Sequence, residues 1–135
     1  NPKKLCWGDS RIGNVLFDDF KVKSLLDWEM ATIGDPLCDL AWGLTTDDVS
    51  SHGLNIEKLA GTISNDEAIK IWEKGTGFSA ENFFYYRILC LFKFSVIMIR
   101  VAKKLIHSEI MPLDSDFHIN NHVSNYLKKE FSDKN

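Results

Sequence analysis

"LCWGDSRIGNVLFDDFKVKSLLDWEMATIGDPLCDLAW" runs from residue 5 to residue 42 and sets Asp9, Asn14, Asp27 and Glu29 beside two short apolar runs. Val15, Leu16 and Phe17 make the first run and residues 22–26 the second, with Asp18-Asp19-Phe20-Lys21 between them. Runs of that length around a four-residue connection predict a β-hairpin, whose register a bulge would change. Pairing outward from the turn sets Phe17 opposite Val22 and Val15 near Ser24. Asn14 and Asp27, distant in sequence, then emerge at the same open end.

That convergence suggests a chemistry. Magnesium takes hard oxygen ligands in near-octahedral geometry, usually one or two carboxylates together with substrate phosphates. Asn14 and Asp27 supply such a share, and Glu29 is either a further ligand or a solvated carboxylate. Asp9, five residues before Asn14, is placed to meet an incoming hydroxyl and accept its proton. Phosphoryl transfer needs this arrangement, because its catalysis is mostly positioning and charge neutralisation. A lone Asp-x4-Asn is common in polar loops; the weight lies in its combination with the hairpin and with Asp27-Trp28-Glu29.

The segments "WGDSRIGN", "LLDWEMA" and "GDPLCDLAW" resemble the catalytic core of the aminoglycoside phosphotransferase and choline kinase-like family, relatives of the protein kinases. The likeness is close over residues 5–44 and loose beyond. It implies a protein-kinase-like fold of which this chain is the C-terminal lobe, with ATP and Mg²⁺ as cofactors and a small-molecule hydroxyl as acceptor. By position, Asp9 matches the catalytic-loop Asp, Asn14 the metal-binding Asn, and Asp27 the Asp that opens D-F-G in protein kinases. Arg11 stands where protein kinases commonly place a Lys that touches the transferred phosphate, a role a forked guanidinium suits.

Two departures stand out. Trp7 replaces the family's usual His, so apolar packing is expected to hold the loop in place of that residue's hydrogen bond. Asp27-Trp28-Glu29 lacks the Gly of D-F-G, which argues against a kinase-style flip. Eight residues before Asp9 leave no room for a glycine-rich loop or a strand Lys. The nucleotide-binding lobe is therefore expected elsewhere in the same polypeptide, as this chain's partner, and the chain alone is expected to be inactive.

The fold class expected is α+β and mostly α, a single partial domain. Residues 1–47 carry the catalytic loop, hairpin and metal segment, 48–64 a connecting loop signalled by "TTDDVSSHGLN", and 65–135 a helical subdomain. Asp35-Pro36 reads as the start of a short helix over residues 38–44. Asn65 or Ser64 caps a second helix, closed by Gly75 and Gly77. Ser79 caps a long third, broken at Met111-Pro112, and residues 118–131 form an amphipathic fourth. Asp39 either braces the catalytic loop through backbone hydrogen bonds or faces water.

Composition narrows the function classes. A net charge of −3 disfavours a broad nucleic-acid surface. Cys6, Cys38 and Cys90 are scattered and odd in number, which fits neither a disulfide framework nor a zinc knuckle and points to a reducing cytoplasm. No apolar leader opens the chain. Residues 83–106 have the length of a membrane span, but five cations interrupt them. Lys93, Arg100 and Lys104 fall within about 40° of one another on a helix, so the segment reads as a buried core helix with one wet stripe. Trp42, Trp72, Phe92 and Phe94 read as core. His118 and His122 share metal-like spacing but lack a third ligand, and Cys6 has no nearby His to make it a nucleophile. Two other readings remain, a catalytically silent kinase-like binding protein and a metal-dependent phosphohydrolase.

Overall fold

The computed structural model describes residues 1–132; the last three residues of the 65–135 segment lie outside the described residues. Strands β1 (Lys4–Cys6), β2 (Val15–Asp18), β3 (Lys21–Leu25) and β4 (Thr32–Gly34) precede helices α1 (Leu37–Ser51), α2 (Asn65–Thr76), α3 (Phe83–His107) and α4 (His122–Ser132). The architecture is mostly helical α+β with two small antiparallel pairs, β1–β4 and β2–β3.

The hairpin forms, with a correction to its register. Phe17 faces Val22, but a bulge between Leu16 and Phe17 sets Val15 opposite Leu25 instead of Ser24. The turn shrinks to Asp19 and Phe20, whose φ values of 48° and 55° give the doubly left-handed backbone that suits the twist of paired strands. The β1–β4 pairing (Leu5 opposite Ile33) closes the base of the excursion that carries both the loop after Cys6 and the hairpin. The open end therefore emerges above one strand pair.

Helix α1 runs to Ser51, well beyond residue 44 and into the stretch expected to connect. Its polar letters satisfy themselves: Thr46 Oγ donates to the Trp42 carbonyl and Ser51 Oγ to that of Asp47. Val49 and Asp48 face inward. Asp35 caps this helix by accepting from the Leu37 N–H. Ser64 caps α2 in a reciprocal capping box with Glu67, and left-handed Gly77 ends it, while Gly75 lies inside the helix.

Two helix starts differ from expectation. Ser79 caps only a turn, through the Glu81 N–H, and α3 begins after Asn82. Helix α4 starts four residues later than expected, because buried Asn121 accepts from the N–H groups of Val123 and Ser124 and fixes the start there. His118 therefore falls ahead of the helix and shares no helical face with His122.

The core lies between α1, α3 and α4. Val49, Leu91, Met98 and Val123 make one cluster; Ala41, Trp42 and Cys90 make another, joined through Phe94. Helix α3 packs against α1 and α4, but Tyr85, Leu89, Phe92 and Val96 along it stay exposed, so it is not the nearly all-round buried helix expected. Phe92 is 60% exposed and Tyr85 63%, so Phe92 is not core. No helix is long and apolar enough to cross a membrane among the described residues.

A buried ionic network ties the helices together. Asp48 accepts from Arg87 (2.6 Å), Lys58 and Asn65 (both 2.8 Å), and Arg87 also reaches Glu130 and the Tyr126 hydroxyl. Burial pushes the Asp48 carboxyl up. The hydrogen bonds from Lys58, Arg87 and Asn65 more than reverse this and hold it below the usual range.

Candidate active site

The loop after β1 is held from three sides. Asp39, near the start of α1, accepts from the backbone N–H of Trp7 (2.7 Å) and of Gly8 (2.8 Å), so it braces the loop. Ser10 Oγ donates to the Asp39 carbonyl at 2.5 Å. Gly8 has φ +89°, and a Cβ there would lie 2.2 Å from the Met30 carbonyl oxygen, so only glycine fits. Trp7 is buried, and its indole N–H donates to the Leu26 carbonyl at 2.8 Å. The loop is therefore not held by apolar packing alone: this hydrogen bond reaches the strand end beside Asp27.

Asp9 is 9% exposed, and three N–H donors surround its carboxylate. Oδ1 accepts from the Trp42 indole at 2.7 Å. Oδ2 accepts from Asn14 Nδ2 at 2.7 Å and from Arg11 Nε at 3.1 Å. Such charge-assisted bonds fix the carboxylate's orientation. Arg11 is exposed, which leaves the far end of its guanidinium free to meet an anion.

Asn14 is buried at the end of a 3₁₀ turn (Ile12–Asn14), and its Nδ2 also donates to the Asp9 carbonyl. Its Oδ1 is engaged by no hydrogen bond among the described residues. The Leu26 N–H donates to the Asn14 carbonyl at 2.8 Å, so the backbone before Asp27 lies against that of Asn14. Asp27 takes a left-handed φ of 60°, a conformation Asp tolerates better than most side chains. Asp27 and Glu29 are both exposed, and no hydrogen bond or ion pair among the described residues engages either carboxylate. The structure thus joins Asp9, Arg11 and Asn14 by direct hydrogen bonds and sets the Asp27 backbone next to them. Glu29 stands two residues further along.

Residues 1–72 match the model of the phosphotransferase enzyme family. The chain belongs to that family. The match spans every residue of the cluster just described. The chain is also similar to acyl-CoA dehydrogenase family member 11 of Pongo abelii, 33% identical over 108 residues. The same protein is 34% identical over 110 residues in Gallus gallus and 31% over 108 in Homo sapiens. Each alignment covers 72% of this chain and 14% of the relative, so the chain spans a small part of these proteins' length.

Other groups near this cluster are chemically quiet. Burial, reinforced by Asp39 and then Asp35, raises the Cys6 thiol. Burial pushes Cys38 up to about 11 and Cys90 up to about 12, so all three stay protonated and poor as nucleophiles. Among the described residues no group of three or more His, Cys, Asp or Glu side chains is placed to hold a metal ion. Two residues escape the sequence reading of their chemistry: Trp42, inside the cluster and read as core alone, and Lys93, which packs beside the cluster and is read as part of a wet stripe. Lys93 lies 4.4 Å from the Trp42 ring centroid and donates to the Gly8 carbonyl at 3.4 Å. Helical periodicity marks which face a residue occupies, but it carries no record of a loop folded against that face.

Proposed function

We propose that this chain is the C-terminal catalytic lobe of an ATP-dependent phosphotransferase that moves the γ-phosphate of ATP to a hydroxyl of a small molecule. The observation that carries the reading is the Asp9 carboxylate, buried and aligned by three N–H donors, with Asn14 as one of them. A carboxylate held this way costs no reorganisation when a hydroxyl arrives.

The donor set fits Mg²⁺. Asn14 Oδ1 and the Asp27 carboxylate are hard oxygens without hydrogen-bond or ion-pair partners among the described residues, and magnesium usually takes one or two carboxylates beside phosphate oxygens. These two residues would hold the ion, with Glu29 as a further oxygen within the same segment. When bound, Mg²⁺ neutralises charge on the phosphates.

Within the chain, Asp9 accepts a hydrogen bond from the acceptor hydroxyl and takes its proton as the new O–P bond forms and the bond to the leaving ADP oxygen breaks. Arg11 contributes its outer N–H groups to the transferred phosphoryl oxygens, while its Nε holds Asp9. Asn14 donates to Asp9 with its nitrogen, and its oxygen has no hydrogen bond among the described residues, so one side chain would link the base to the metal site.

The test is ADP formation from Mg-ATP by the natural polypeptide that carries this chain, with water as acceptor. The expected result is slow release of ADP and phosphate that stops on chelation with EDTA and returns on adding Mg²⁺. An absence of ADP formation, or formation indifferent to EDTA, overturns the proposal.

A further inference from the structure

We infer that Trp42 is a positioning residue for phosphoryl transfer, and that the acceptor hydroxyl is received at Asp9 Oδ1, beside the Trp42 indole N–H. The inference rests on the function proposed above and specifies one atom of it. An ionised carboxylate offers about four lone-pair sites. On Asp9, Asn14 Nδ2 and Arg11 Nε fill both sites of Oδ2, while Trp42 Nε1 fills one of Oδ1. Among the described residues, the single acceptor site left over is on Oδ1, and the indole beside it fixes the direction from which a hydroxyl approaches.

Trp42 is itself held. It is 4% exposed, and its ring packs against Phe94 with centroids 5.8 Å apart. Lys93 covers the ring with its ammonium at 4.4 Å. A cation on the π face draws electron density from the indole and makes its N–H a more polar donor. Helix α3 thus acts on Asp9 through Trp42, with Lys93 as the surface end of that relay, beside the direct hydrogen bond from Lys93 to the Gly8 carbonyl.

The experiment measures Mg-ATP hydrolysis, KM for ATP and thermal midpoint in the natural polypeptide, for wild type, Trp42→Phe, Lys93→Met, the double variant and Asp9→Asn. Trp42→Phe keeps an aromatic ring and removes the N–H; kcat is expected to fall about tenfold or more, as for a lost hydrogen bond to a charged group, with KM for ATP unchanged. Lys93→Met removes both the cation over the indole and the hydrogen bond to the Gly8 carbonyl; it is expected to lower kcat in the wild-type background and much less in the Trp42→Phe background, where the indole N–H that the cation polarises is already gone.

Wild-type kcat in a folded Trp42→Phe protein overturns the inference, as does a fall in kcat that is matched by a rise in KM. If Trp42→Phe does not fold, Lys93→Met and Lys93→Gln decide, since Gln keeps a donor for the Gly8 carbonyl without the cation: kcat lowered in both supports the relay, and kcat unchanged in Lys93→Met or restored in Lys93→Gln overturns it. If Asp9→Asn hydrolyses ATP like the wild type, or the wild type does not hydrolyse it, the proposed function falls and this inference with it.

Discussion

Asp9→Asn is expected to lower kcat for ADP formation by about 10²–10⁴-fold, the range for a positioned proton acceptor. The substitution keeps the side chain's shape but replaces one acceptor oxygen with an amide that cannot satisfy the donors facing it. Stability therefore falls as well, by about 1–3 kcal/mol for a buried donor left without its partner. These magnitudes separate the two effects. A domain with about 5–15 kcal/mol of stability stays folded after that loss at 25 °C, so inactivity there reflects chemistry and not unfolding. Steady-state kinetics on protein whose thermal melt is recorded in the same buffer makes the check. Retained kcat would remove Asp9 from its role.

The second large effect is on the fold. Asp48→Ala is expected to destabilise the chain by about 3–5 kcal/mol, the usual cost of removing one partner from a buried ion pair. Asp48 is 3% exposed, and its loss strips Arg87, Lys58 and Asn65 of their shared acceptor. The three donors come from α3, the loop after α1 and the start of α2, so the change loosens one joint common to them. The pH dependence follows from the depressed carboxyl. Its folded value lies below the unfolded value of about 4, so the stabilisation is full above about pH 4 and drains as pH falls through the folded value. Denaturant melts are thus expected to show a wide gap between wild type and variant at pH 7 that narrows at pH 3. A gap of under about 1 kcal/mol at pH 7 would place this pair among weak surface bridges instead.

Sequence legibility followed locality. Ser64, Glu67 and Gly77 spell both ends of α2 because a capping box and a left-handed glycine act within one turn. The hairpin was legible for the same reason, and its bulge was the part that spacing alone does not fix. The β1–β4 pair was not legible: Leu5 and Ile33 are partners across a long excursion, and three-residue strands carry almost no pattern. Helix α1 extends past residue 44 to Ser51 although Thr, Ser and Asp, read singly, favour loops. Here Thr46 and Ser51 bond back to carbonyls in their own helix, and Asp48 finds Arg87, which lies two helices further along the chain. Asp9, Arg11 and Asn14 were singled out by spacing and motif, and the structure brings them into one hydrogen-bonded cluster. Trp42 was assigned to core correctly by its burial, but its bond to Asp9 comes from a tertiary contact that helical periodicity cannot encode.

The central claim is that Asn14 and Asp27 hold one divalent cation beside Asp9. Mn²⁺ titrated in place of Mg²⁺ into the nucleotide-bound natural polypeptide tests it through paramagnetic broadening of assigned NMR signals. The account predicts that broadening begins at Asn14 and Asp27, spreads next to Asp9 and Glu29, and disappears from this cluster in Asp27→Asn. Broadening that begins elsewhere in the chain, or that persists unchanged in that variant, would contradict it.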